Sequence, residues 1–215
     1  MTIKRGPITF RRGVDRLFEQ VDQFTIHNAM FFIGALWASR TLGRGIDHDD
    51  VATIDSFAFP LSVDIPLGGV AEAAFEERQA DARTIVVQAV RKGPTMPDHL
   101  PFSRGLNSVL WLPSTSIFVE FFERVKPWMK QNYPSQKSWP PTIYFARLIR
   151  NAVSHGGRLH MTHDPGRDAE WHHLKFGKSD DGKQAIGPGG FLSPADMLFL
   201  MIDTGDELDR IGCPV

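Results

Sequence analysis

Near the end of an apolar-striped segment stand Arg150-Asn151-Ala152-Val153-Ser154-His155, which hold the side-chain types that metal-free cleavage of a phosphodiester needs. Histidine titrates near neutrality, so it can take the proton of a 2′-hydroxyl or return one to a leaving oxygen. Arginine stays charged and grips phosphate oxygens through a planar fork, stabilising the charge of a phosphorane-like transition state. Asparagine carries both donors and acceptors, and can orient an imidazole or a phosphate. On a helix, at about 100° per residue, Phe145, Leu148, Ile149 and Ala152 share one face. Arg147, Arg150, Asn151 and Ser154 fall opposite them, with His155 at the edge. Asn151 and His155 are four apart and stack along the surface, as do Arg147 and Asn151. Arg150 and His155 are five apart, roughly 140° around the helix, so one helix does not bring them together. Two such helices facing across a two-fold axis would converge two arginines and two histidines on one cleft.

Arg150-Asn151 followed by His155 at a helix end resembles the Arg-polar-spacer-His motif of the HEPN superfamily (higher eukaryotes and prokaryotes nucleotide-binding domains). The stretch from Arg147 through Gly156-Gly157 is similar to the motif helix of many bacterial members. The resemblance implies a helical bundle that pairs as a homodimer and acts as a metal-independent endoribonuclease in toxin–antitoxin, CRISPR or phage-defence systems. It implies Arg150 and His155 as catalytic residues, Asn151 as their polar modulator and no cofactor. The implied partners are RNA, a second copy of the chain, and an antitoxin or another protein. Some members keep the fold without cleaving anything, so a non-catalytic RNA- or protein-binding module stands as the alternative. A third reading has a partner attach a nucleotidyl group to Tyr133 or Tyr144. The motif covers six residues, and the first 100 residues carry no part of the resemblance.

Residues 140 to 178 hold six Lys or Arg against Asp164, Asp168 and Glu170, together with five of the eight histidines. That local basic bias suits a phosphate backbone, and Arg147, Arg158 and Lys175 are the expected nucleic-acid contacts. An ordinary mixed surface has the same composition. His155, in a last helical turn before Gly156-Gly157, equally suits a residue that serves the helix dipole and its end carbonyls. Trp171 either stacks a base or fills the core. His160, His163, His172 and His173 lie close in sequence, yet no Cys pair or His-Glu-x-x-His spacing accompanies them, so no metal site is expected. Walker loops, dinucleotide fingerprints and nucleophile elbows are absent from the sequence.

The elements that must position these residues read as mainly α: a helical bundle of about five helices, with a small β-hairpin before the C-terminal helix. Apolar periodicity places helices over 14–42, 70–92, from Ser114 or Ser116 to 132, and from Pro140-Pro141 to Gly156-Gly157. The second half of the first helix is apolar nearly all round, which suits deep core or an oligomer interface. Pro127 is expected to kink or end the third helix. Residues 43–69 read as a loop-rich connection. Short strands are expected at 159–161, 171–176 and 183–186, with Ser179-Asp180-Asp181-Gly182 as a hairpin turn. Ser193-Pro194-Ala195-Asp196 opens the last helix with a serine cap, a proline at the first position and an acid at the third.

A chain of 215 residues fits a single domain spanning 1–215. A formal charge of −1 excludes a globally basic coat and leaves room for a local basic site. One cysteine, Cys213, allows no intrachain disulfide and points to a reducing, cytoplasmic setting. No apolar run reaches the length of a membrane span, and no secretory signal is expected.

Overall fold

The computed structural model describes residues 6–38, 49–68, 84–91, 102–161 and 166–214. The described residues gather into two compact units: 6–38, 49–56, 60–68 and 84–91 in the first, and 57–59, 102–161 and 166–214 in the second. Among the described residues there are four α-helices, two antiparallel sheets and two short 3-10 turns. The helical majority agrees with the sequence reading. The count of about five helices and the single hairpin do not, because a second sheet stands where a helix and a loop were expected.

That sheet lies in the first unit. It has four strands in the order β1-β4-β3-β2, all neighbours antiparallel. They are β1 (Gly6–Arg11), β2 (Val51–Asp55), β3 (Leu61–Pro66) and β4 (Thr84–Arg91). The helix expected over 70–92 is thus corrected at 84–91; its remainder lies outside the described residues. Thr84-Ile85-Val86-Val87-Gln88-Ala89-Val90 is rich in β-branched residues, and ladders on both sides, to β1 and β3, overrule a local helical period. The connection over 43–69 likewise holds β2 and β3, tied across strands by Thr53 to Asp64 (2.9 Å) and Ser62 to Asp55 (2.7 Å). Helix α1 (Phe18–Ala38) packs on this sheet through buried Val21, Phe24 and Ala29. In its second half Met30 is 45% exposed and Phe31 to Ile33 are half-buried, so this stretch is not deep core.

The second unit packs α2 (Phe102–Asn132), α3 (Pro141–Ser154) and α4 (Pro194–Arg210) on one another. A hairpin of β5 (Ala169–Trp171) and β6 (Leu174–Phe176) lies against α3. Phe118, Phe122, Met129, Trp139, Ile143, Phe145, Ile149 and Phe199 form the core, each worth about 1.5–3 kcal/mol of apolar burial. Helix α2 begins earlier than expected and continues through both Pro113 and Pro127 to Asn132. Pro127 has no amide to donate to the Glu123 carbonyl, yet packing of Phe122, Val125 and Met129 holds the helix on. After Pro113, the hydroxyls of Ser114, Thr115 and Ser116 each donate to the carbonyl four residues back.

Helix α4 starts as its sequence dictates, with Ser193 and Asp196 in a reciprocal capping box. The hairpin is placed differently from the expectation. Its turn is His172-His173, with His172 at φ +52°, while Lys178–Asp180 coils into a 3-10 turn. Stretches 159–161 and 183–186 are not strands; this region is joined by the Arg158–Gln184 bridge, the Leu159–Lys183 and Gly182–Leu159 backbone bonds, and the Ala185 and Ile186 amides donating to the Gly157 carbonyl. Trp171 is core, 2% exposed, and donates its indole N–H to Asp203 at 2.8 Å. Among the described residues no helix is long and apolar enough to cross a membrane.

Candidate functional site

Pro140 caps α3 and Pro141 opens it, where the missing amide is harmless and the fixed φ suits the first turn. Seven of its residues are buried, including Phe145, Leu148, Ile149 and Ala152 as the helical wheel requires. Arg147, Arg150 and Asn151 are thereby turned outward, half-buried. The helix ends in a Schellman arrangement: Gly157 donates to the Ala152 carbonyl at 2.8 Å, and Gly156 adopts φ +64°. His155 is the C-cap residue and is exposed.

The motif residues divide between two places. Arg147, Arg150 and Asn151 line a cleft between α3 and α2, with Lys126 and Lys130 on the α2 side and Phe122, Gln136 and Trp139 completing it. Its volume is about 160 Å³. His155 does not line it. Its ring instead stacks on His160, centroids 3.8 Å apart. His160 is held by a loop in which Met161 donates to Asp181 at 2.8 Å and Leu159 to the Lys183 carbonyl at 2.9 Å. Two imidazoles therefore stand side by side at the end of α3, enough to supply a general base and a general acid.

In the cleft, Arg150 Nε lies 2.6 Å from Glu123 Oε1, but its N–H does not aim at the oxygen, so the pair is electrostatic rather than a directed hydrogen bond. Lys126 donates to the same carboxylate at 2.9 and 3.1 Å. The Lys126 hydrogen bonds, helped by the Arg150 charge and against partial burial, hold the Glu123 carboxyl below its usual range. Burial lowers the Arg147 pKa from its ordinary value, Arg150's charge adds to this, and Tyr144 opposes it. An arginine stays protonated under such a shift. Four cations thus face the cleft with Glu123 as their carboxylate neighbour.

The other expected nucleic-acid contacts lie away from the cleft. Arg158 donates to the Gly182 carbonyl at 3.0 Å. Lys175 sits between Glu170 (2.9 Å) and Asp168 (3.1 Å), so its charge is locally balanced. Of the tyrosines, Tyr144 is buried under the Arg167 guanidinium and Tyr133 is half-buried. Of the four clustered histidines, His163 is outside the described residues, and His172 bonds Asp203 at 2.6 Å beneath the Phe59 ring. Among the described residues no group of three His, Cys, Asp or Glu is placed to hold a metal ion. Sequence reasoning missed Glu123, Lys126 and Lys130, although their spacing of three and four on one helix was a usable signal. No family model, curated protein or solved structure matches the chain.

Proposed function

We propose that this protein is an RNA-binding, metal-independent endoribonuclease of the HEPN type, working as a homodimer in a toxin–antitoxin or phage-defence setting in the cytoplasm. The observation that supports it is that one helix, α3, carries both halves of the chemistry. Arg147, Arg150 and Asn151 face a cationic cleft, and His155 stands exposed beside His160 at the helix end. RNA phosphates would be gripped by the arginines, and imidazoles would move the protons of 2′-hydroxyl attack and leaving-group departure. Arg150 and His155 fall roughly 140° apart on α3, so a second copy would supply the facing set.

The test is incubation of a mixed RNA pool with the protein in EDTA, beside His155→Ala and Arg150→Ala variants matched by circular dichroism. Cleavage leaving 2′,3′-cyclic phosphate ends, lost in both variants, is the expected result. Wild-type cleavage that survives both substitutions, or no cleavage at all, rejects the nuclease. The Arg150–Glu123 ion pair favours a second reading, a non-catalytic RNA-binding module in which Arg150 is held by its own chain. Under it the wild type binds RNA and leaves it whole.

A further inference from the structure

The cationic cleft uses residues that the motif does not name, and its shape continues beyond them. Arg147 is half-buried, and among the described residues no hydrogen bond or ion pair holds its guanidinium. Five N–H donors on a fixed charge, turned into a cleft and lacking an acceptor, are poised for an anion. Lys126, Lys130 and Arg150 add three more positive charges around the same space, against the single carboxylate of Glu123.

A second groove of about 330 Å³ adjoins the first and shares Lys130, Gln136 and Trp139 with it. Its other walls are Tyr133, Pro134 and Ser135. Tyr133 is held edge-on by Trp128, with centroids 6.3 Å apart, so its ring is positioned rather than loose. One compartment is cationic; the next is aromatic and polar without an acid in its wall. A nucleotide has the same division, a dianionic or monoanionic phosphate joined to a flat base with polar edges.

We infer that the paired grooves between α2, α3 and the 133–139 connection form a nucleotide-binding site, phosphate against Arg147, Lys126 and Lys130, and nucleoside against Tyr133. Glu123 acts as an internal competitor for the phosphate. It occupies Lys126 and Arg150 while the cleft is empty, and it is the group that an incoming phosphate must displace. The inference specifies the ligand of the cleft named in the proposed function, but it requires no cleavage. The bound unit belongs either to an RNA strand or to a free mononucleotide, since both present the same chemistry.

Fluorescence anisotropy with a labelled 2′-O-methyl oligoribonucleotide separates this inference from the nuclease reading, because such a strand cannot be cut by 2′-oxygen attack. Arg147→Ala and the surface variant Lys130→Glu, whose site is exposed and imposes no folding risk, are each expected to weaken binding at least tenfold. Each lost phosphate contact should also flatten the salt dependence, by a slope of about 0.7 for a single strand. Glu123→Gln is expected to tighten binding several-fold. Arg124→Ala, on an exposed face of α2, controls for general charge loss and is expected to bind as the wild type does. Competition by uridine or adenosine monophosphate identifies a free nucleotide as the ligand; its absence identifies the strand. Wild-type binding by both Arg147→Ala and Lys130→Glu, or weakening no greater than that of Arg124→Ala, overturns the inference. Absence of cleavage with binding intact rejects the nuclease and leaves this site standing.

Discussion

Replacing Asp196 should be among the most damaging single changes to the unit that carries the cleft. Its carboxylate is fully buried at the start of α4, and one oxygen, Oδ2, accepts three backbone amides: Ser193 at 2.7 Å, Phe57 at 2.9 Å and Ala58 at 3.3 Å. Three donors on one oxygen suit an anion better than a neutral carbonyl, which has two lone pairs. In Asp196→Ala the Ser193 amide is left in a fully buried position, at a cost of about 1–3 kcal/mol. The Phe57 and Ala58 amides lie nearer the surface and recover part of their bonding from water. The total expected is about 2–4 kcal/mol. Asp196→Asn keeps the shape and removes the charge, so it should cost about 1–2 kcal/mol, the difference between charged and neutral acceptors. Urea unfolding followed by tryptophan fluorescence reads mainly this unit, since four of the five tryptophans, Trp111, Trp128, Trp139 and Trp171, belong to it. A loss under about 1 kcal/mol for Asp196→Ala, less than the stranded Ser193 amide alone should cost, refutes the reasoning.

Two further outcomes follow from the site's surroundings. Because the folded-state pKa of Glu123 is lowered, first by the Lys126 hydrogen bonds, its contribution to stability is present above the ordinary carboxylate pKa and is lost as pH falls through the lowered value. Carbon-detected NMR titration should therefore show the Glu123 pKa rising toward the ordinary value in Lys126→Ala; an unchanged midpoint contradicts the assignment. At the end of α3, Gly156→Ala meets open space at φ +64° and should cost about 1–2 kcal/mol from backbone strain alone. Gly157→Ala combines φ +82° with a collision against the Ile186 carbonyl and the Gln184 side chain, and should cost clearly more. Equal thermal shifts for the two variants would show that the loop behind His160 yields freely.

How much of this could be read without coordinates follows from the range of each interaction. The motif helix was legible because its signals are local: prolines at its start, glycines at its end and an apolar stripe of helical period. The capping box of α4 was legible for the same reason. Strand β4 was not, since Ile85, Val86, Ala89 and Val90 satisfy a helical period as well as a strand, and only pairing with β1 and β3, distant in sequence, decides between them. The hairpin turn was misplaced on similar grounds. Ser179-Asp180-Asp181-Gly182 has better turn chemistry than His172-His173, but Asp203 on α4 fixes His172 and Trp171 from across the fold. The sequence alone determined which side of α3 faces outward and that Arg147, Arg150 and Asn151 share it. Only tertiary structure decided that Lys126 and Lys130 face them, that Glu123 holds Arg150, and that His155 leaves the cleft to stack on His160, because those placements depend on how separate elements pack.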